Sequence, residues 1–202
     1  PTDAFLDLVC AHKPDQCTLV PDAPDVLTSD NGWDTIKHRD FLQDVVNRLH
    51  EHNIRVSLFL NPDLRMVEGT KEIGADRLEL YTGSYAKDYA ADRDQAIEPF
   101  VNAASFASSL GLGINAGHDL SLENLQFFRQ EIPQLLEVSI GHALICDALY
   151  YGLQNAIQMY LSSFFFTGFF LCTTFLAVNS RCINVGFYFF IDRRKEDITL
   201  AI

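Results

Sequence analysis

The stretch GLGINAGHDLSLENL, residues 111–125, changes character three times within a few turns of chain. Gly111 and Gly113 punctuate the end of a helical pattern, GINA at 113–116 runs as a short apolar strand, and NAGHDLS turns before a new helix opens near Ser121. Strand, turn and helix in that order make one βα unit. Gly and Ser alone can close such a turn, so His118 and Asp119 at the junction ask for a chemical reason.

Working outward, the same unit recurs. Apolar strand-like runs stand at 16–20 (QCTLV), 54–60 (IRVSLFL), 77–81 (RLELY) and 137–141 (EVSIG), each followed by a helical pattern. Phe41, Leu42, Val45, Val46 and Leu49 share one helical face, as do Phe100, Val101, Ala104, Ala107 and Leu110. Short strands alternating with helices imply a parallel sheet, because parallel neighbours need a crossover connection. A closed barrel or an open doubly wound sheet would satisfy this pattern. The G-x-G-x-x-G phosphate fingerprint of the open sheet is missing after the first strand. In a parallel barrel, function gathers on the loops beyond the strands' C-terminal ends.

The unusual polar residues fall at those ends. Thr28 lies in the acidic loop LVPDAPDVLTSDNGWD, Glu79 in ELYTGSYA, His118 and Asp119 in NAGHDLS, and Gly141 with His142 in SIGHALI; FLNPDL is the plainest of the five. Glycine lets backbone N–H groups approach a ligand, and a helix N-terminus behind it favours an anion such as phosphate. Histidine there can exchange protons near neutral pH. Each residue also has a plainer role. His142 can be a hydrogen-bonding strand-end residue, and Asp119 can cap the next helix in competition with Ser121. Glu79 alternates with Leu78 and Leu80, so it faces away from them, and a carboxylate facing a barrel interior requires a structural partner or a catalytic task. His50 and His52 of HEH fall on different helix faces, which excludes the H-E-x-x-H metal arrangement.

A chain of 202 residues with a net charge of −12 fits one main domain and excludes nucleic acid as the chief partner, since phosphates need clustered Lys and Arg. The five cysteines form no C-x-x-C pair and no zinc-like spacing, which suits thiols in a reducing compartment. The chain opens on PTDAFLDLVC, already the first turns of a helix, with no leader-like segment. Composition changes at the other end. Residues 161–202 hold four Lys or Arg against three Asp or Glu, so the negative charge belongs to residues 1–160. The uncharged run at 159–178, MYLSSFFFTGFFLCTTFLAV, approaches bilayer-spanning length. It reads as a membrane helix, a packed extension, or a read-through or frame-shifted segment foreign to the preceding domain.

The motifs CTLVPD, LTSDNGWD, IRVSLFL, IGADRLELYTGSYA, AASFASSLGLGINAGHDLSLENL and LEVSIGHALICDALYYGL together resemble the pyridoxine 5′-phosphate synthase family over residues 1–159. The resemblance implies a (β/α)8 TIM-type barrel, here incomplete at about five βα units over residues 1–160, with a tail at 161–202 that matches nothing in the family. It implies a cytoplasmic homo-octamer without metal or organic cofactor. The implied reaction condenses 1-deoxy-D-xylulose 5-phosphate with 3-amino-2-oxopropyl phosphate, giving pyridoxine 5′-phosphate, inorganic phosphate and water. By motif, His118 matches the proton donor and Glu79 a carboxylate that stabilises the transition state. Asp119, Gly141 and His142 match the amino ketone's phosphate site, mainly through main-chain groups, although many members carry Gly where Asp119 stands. Thr28 matches a contact to deoxyxylulose phosphate. The family's proton-accepting His and Glu, and its Arg and His grip on that substrate, belong to about three strands that would precede residue 1. Little or no activity is therefore expected of these 202 residues alone, with a non-catalytic phosphate-binding remnant or a membrane-attached protein as the alternatives.

Overall fold

Alternation along each strand sorts the side chains of a curved parallel sheet onto two unlike faces. The computed structural model describes residues 1–22, 29–165, 188–192 and 197–201, the last two segments by their backbone. Its elements run α1 (Asp3–His12), β1 (Gln16–Leu19), α2 (Arg39–Glu51), β2 (Arg55–Leu60), α3 (Leu64–Ile73), β3 (Arg77–Tyr81), α4 (Gly83–Asp88), α5 (Arg93–Ser109), β4 (Gly113–His118), α6 (Leu125–Glu131), β5 (Leu135–Ile140), α7 (His142–Tyr151), α8 (Leu153–Phe165), β6 (Tyr188–Asp192) and β7 (Asp197–Ala201). β1 to β5 pair in chain order and all in parallel, forming a curled arc with flanking helices, the half-barrel expected of a partial TIM-type barrel.

The outer face of the arc is apolar. Cys17, Leu19, Val56, Leu58, Leu60, Leu78, Leu80, Ile114, Ala116, Val138 and Ile140 join one buried core with Leu42, Val45, Val46 and Leu49 of α2 and Phe100, Ala104 and Ala107 of α5. Burial of these faces is what drives helix onto sheet. Phe41 leaves the expected stripe: it is exposed, its ring tilted against Trp33 at 6.2 Å. The inner face carries Gln16, Thr18, Ser57, Arg77, Glu79, Asn115, Glu137 and Ser139, nearly all buried. At the N-terminal end of the strands much of this polar layer is paired: Arg77 pairs with Glu137 at 3.1 Å and donates to Asn115 Oδ1 at 3.0 Å, and Gln16 Nε2 donates to Glu137 at 3.1 Å, whereas the buried Ser57 Oγ and Asn115 Nδ2 have no hydrogen-bond partner among the described residues.

Glu137 and Ser139 face inward because of a register shift. Ile114 opposes Leu135 but Asn115 opposes Glu137, so β5 carries one extra residue there. That bulge lets both Leu135 and Val138 pack outward although they are an odd number of residues apart. Helix ends follow local rules. Asp63 and Asp92 accept the backbone N–H groups of Arg65 and Gln95 to open α3 and α5, and Gly74, at φ +88°, closes α3.

The helix expected near Ser121 begins instead at Leu125. Ser121 to Asn124 form a self-closed turn, with Asn124 Oδ1 accepting the Ser121 N–H at 2.9 Å and Ser121 Oγ accepting that of Glu123 at 3.3 Å. Asp119 therefore caps nothing. α8 runs across residue 160, and β6 and β7 add to β5 as antiparallel strands, Val138 opposite Ile191 and Phe190 opposite Thr199. The sequence reading assigned no strands to that tail. Most of the uncharged run at 159–178 lies outside the described residues, and no helix among the described residues is long and apolar enough to cross a membrane.

Candidate active site

The C-terminal ends of β2 to β5 converge on Glu79, His118 and the start of α7. Glu79 projects from the middle of β3 into the arc and is 4% exposed. Ser139 Oγ, from β5, donates to its Oε1, and Thr18 Oγ1, from β1, donates to its Oε2 at 3.3 Å. Burial pushes this carboxyl up to about 7, helped by the charge of Glu137 and opposed by the two hydroxyl donors and by His118. A group poised there can take or give a proton at neutral pH.

His118 ends β4 with φ +99°, a left-handed conformation uncommon outside glycine. Thr82 constrains it from both sides. Its hydroxyl donates to the Gly117 carbonyl at 2.8 Å and accepts the Asp119 N–H at 3.3 Å, so the peptide groups on each side of His118 are tied to the end of β3. The ring is nearly buried and lies edge-on to Tyr81 at 5.2 Å, with Phe59 beyond at 6.5 Å. Its Nδ1 meets Asp119 Oδ2 at 3.0 Å. That hydrogen bond holds the Asp119 carboxyl below the usual range despite partial burial, and the nearby His142 acts in the same direction.

Gly141 is buried and opens α7, whose first-turn N–H groups lack intrahelical acceptors. His142 follows it, exposed. The tyrosine hydroxyl of Tyr81 is pushed up by burial and by the charges of Asp119, Asp30 and Asp22. Thus Glu79, His118, Asp119, Gly141 and His142 gather at one end of the arc, whereas Thr28 lies outside the described residues. Among the described residues, no group of three or more His, Cys, Asp or Glu is arranged to hold a metal ion.

Sequence reasoning passed over Thr18, Phe59, Tyr81 and Ser139. The signal for two of them was available: Thr18 in CTLV and Ser139 in EVSIG are polar residues inside apolar strands, the same feature that singled out Glu79.

Over most of its length the chain is similar to known proteins. The family model described as "Pyridoxal phosphate biosynthesis protein PdxJ" matches residues 1–164. The pyridoxine 5′-phosphate synthase of Flavobacterium johnsoniae is 56% identical over 161 residues, which span 80% of this chain and 68% of that protein. The enzymes of the same name from Christiangramia forsetii and Parabacteroides distasonis are 53% and 56% identical, over 68% and 67% of their own lengths.

Proposed function

Since the chain belongs to the PdxJ family of pyridoxal phosphate biosynthesis proteins, we propose that its arc serves pyridoxine 5′-phosphate synthesis, with His118 as proton donor and Glu79 as the carboxylate that stabilises the transition state. The substrates are phosphorylated small molecules, 1-deoxy-D-xylulose 5-phosphate and 3-amino-2-oxopropyl phosphate. Two phosphates enter; one leaves on the product and one as inorganic phosphate.

The observation that carries this reading is the pairing of a buried carboxyl near neutrality with a strained histidine at one set of strand ends. Schiff-base formation, loss of water and ring closure each require proton transfer, and a group with its pKa near the working pH serves both directions. The His118–Asp119 hydrogen bond orients the imidazole, and Tyr81 and Phe59 shield it from water. The Gly141 and His142 main chain at the α7 N-terminus, together with the Asp119 N–H, would hold the amino ketone's phosphate; helix N-termini favour anions there. In the described state the Asp119 N–H rests on Thr82 Oγ1 at 3.3 Å, a long hydrogen bond that a phosphate oxygen can replace. Thr28 would contact the deoxyxylulose phosphate.

The proposal extends to the whole molecule. Residues 1–160 form the barrel portion and 161–202 an appendage to it, in a cytoplasmic homo-oligomer, an octamer by family resemblance. Leu149, Tyr150 and Tyr151, at 81%, 86% and 51% exposure on α7, support self-association.

Supplying both substrates to the protein as its gene encodes it tests the reaction. Pyridoxine 5′-phosphate and inorganic phosphate should appear together in equal amounts. Consumption of neither substrate at saturating concentration overturns the reading.

A further inference from the structure

Glu79 and Ser139 sit on β3 and β5, strands that are not neighbours, and yet their side chains touch. β4 lies between them, and at the crossing it carries Gly117. A Cβ at that position would be driven into Ser139 Oγ and would stand 2.6 Å from Glu79 Oε1. Gly117 is thus a gap in the middle strand through which one hydroxyl reaches one carboxyl.

We propose that Ser139 is a positioning residue for this reaction: through the gap at Gly117, its buried hydroxyl donates to Glu79 Oε1 and fixes the orientation of the carboxyl. The inference rests on the reading of Glu79 as the transition-state carboxylate. Ser139 is 3% exposed and Glu79 4%, so water does not substitute cheaply for either partner. A hydroxyl has one proton to donate, and donating it to a carboxylate oxygen stabilises the charged form. The other groups facing Glu79 are Thr18 from β1, which acts in the same direction, His118 from β4, which does too, and Glu137 from β5, which opposes. Arg77, on Glu79's own strand, is engaged with Glu137 and Asn115. Ser139 is the strongest of the influences that favour ionisation, set against burial. It therefore has the largest effect to lose.

The test reads Glu79 directly, by carbon NMR of the chain labelled at its glutamate carboxyls, with the Glu79 resonance assigned by its disappearance in Glu79→Gln. Ser139→Ala should raise the titration midpoint from about 7 by about one pH unit or more. Gly117→Ala keeps the hydroxyl but closes the gap, and should move the midpoint in the same direction. In turnover by the protein as its gene encodes it, Ser139→Ala should shift the acidic limb of kcat upward by the same amount, with KM for both substrates within about two-fold of wild type. An unmoved midpoint in Ser139→Ala overturns the proposal, as does a fall in kcat without a shift of the limb. Full turnover in Glu79→Gln overturns the underlying role of Glu79 instead, whatever the titration gives.

Discussion

At the scale of the residue, Glu79 makes stability depend on pH in a direction opposite to most carboxylates. Its folded-state value of about 7 lies above the ordinary 4.5, so between those values the folded chain holds a proton that the unfolded chain has released. Stability contributed by the neutral carboxyl is complete below pH 4.5 and is lost as pH rises toward 7. The full effect is of the order of 3 kcal/mol. Glu79→Gln, neutral throughout, should therefore lose less stability than wild type between pH 5 and pH 8 when thermal unfolding is followed by circular dichroism. Parallel curves for the two proteins would contradict this. The setting of this residue was half legible in the sequence. Alternation with Leu78 and Leu80 turned it inward, but its partners come from strands 61 and 60 residues away, and no local pattern announces them. His118 was legible as a strand-end histidine. Its left-handed backbone was not, because Thr82 imposes it from the turn after β3.

At the scale of the element, the five strands could be read to within two residues from apolar runs bounded by turn residues, because outward burial requires those runs. The bulge in β5 escaped notice. It is a property of the pairing between β4 and β5, and the sequence LLEVSI reads equally well without it. The start of α6 was misplaced because Ser121 and Asn124 bond each other rather than a helix that begins at once. Caps are more local and give a sharper prediction. α5 is the longest described helix and Asp92 accepts the Gln95 N–H at its start at 3.0 Å. Asp92→Ala should cost about 1 kcal/mol, lowering Tm by roughly 3 °C for a chain of this size. An unchanged Tm would mean that the first turn of α5 is held by packing alone.

At the scale of the whole molecule, an arc with an apolar exterior and a polar interior puts helices on one side and chemistry on the other. The alternation of elements made the parallel architecture legible, and the strand-end histidine and glycine residues pointed to the proposed site. The pairing of β6 and β7 onto β5 was not legible, since their residues lie beyond the reach of the repeating βα pattern. The exposed C-terminal end of α7 carries its own prediction. If Leu149, Tyr150 and Tyr151 form a contact between copies, Tyr150→Glu should reduce the sedimenting mass at micromolar concentration while leaving the circular dichroism spectrum unchanged. A monomeric wild type, or an assembly indifferent to the substitution, would remove that surface from consideration.

In the proposed function, this end of the arc performs the proton transfers of pyridoxine 5′-phosphate formation. The most direct measurement is the rate of that formation by the protein as its gene encodes it, compared with His118→Asn, which retains a polar side chain of similar size but cannot act as an acid. The predicted result is a kcat lowered by about 100-fold or more, with substrate affinity close to wild type. Turnover of His118→Asn at the wild-type rate would contradict the account.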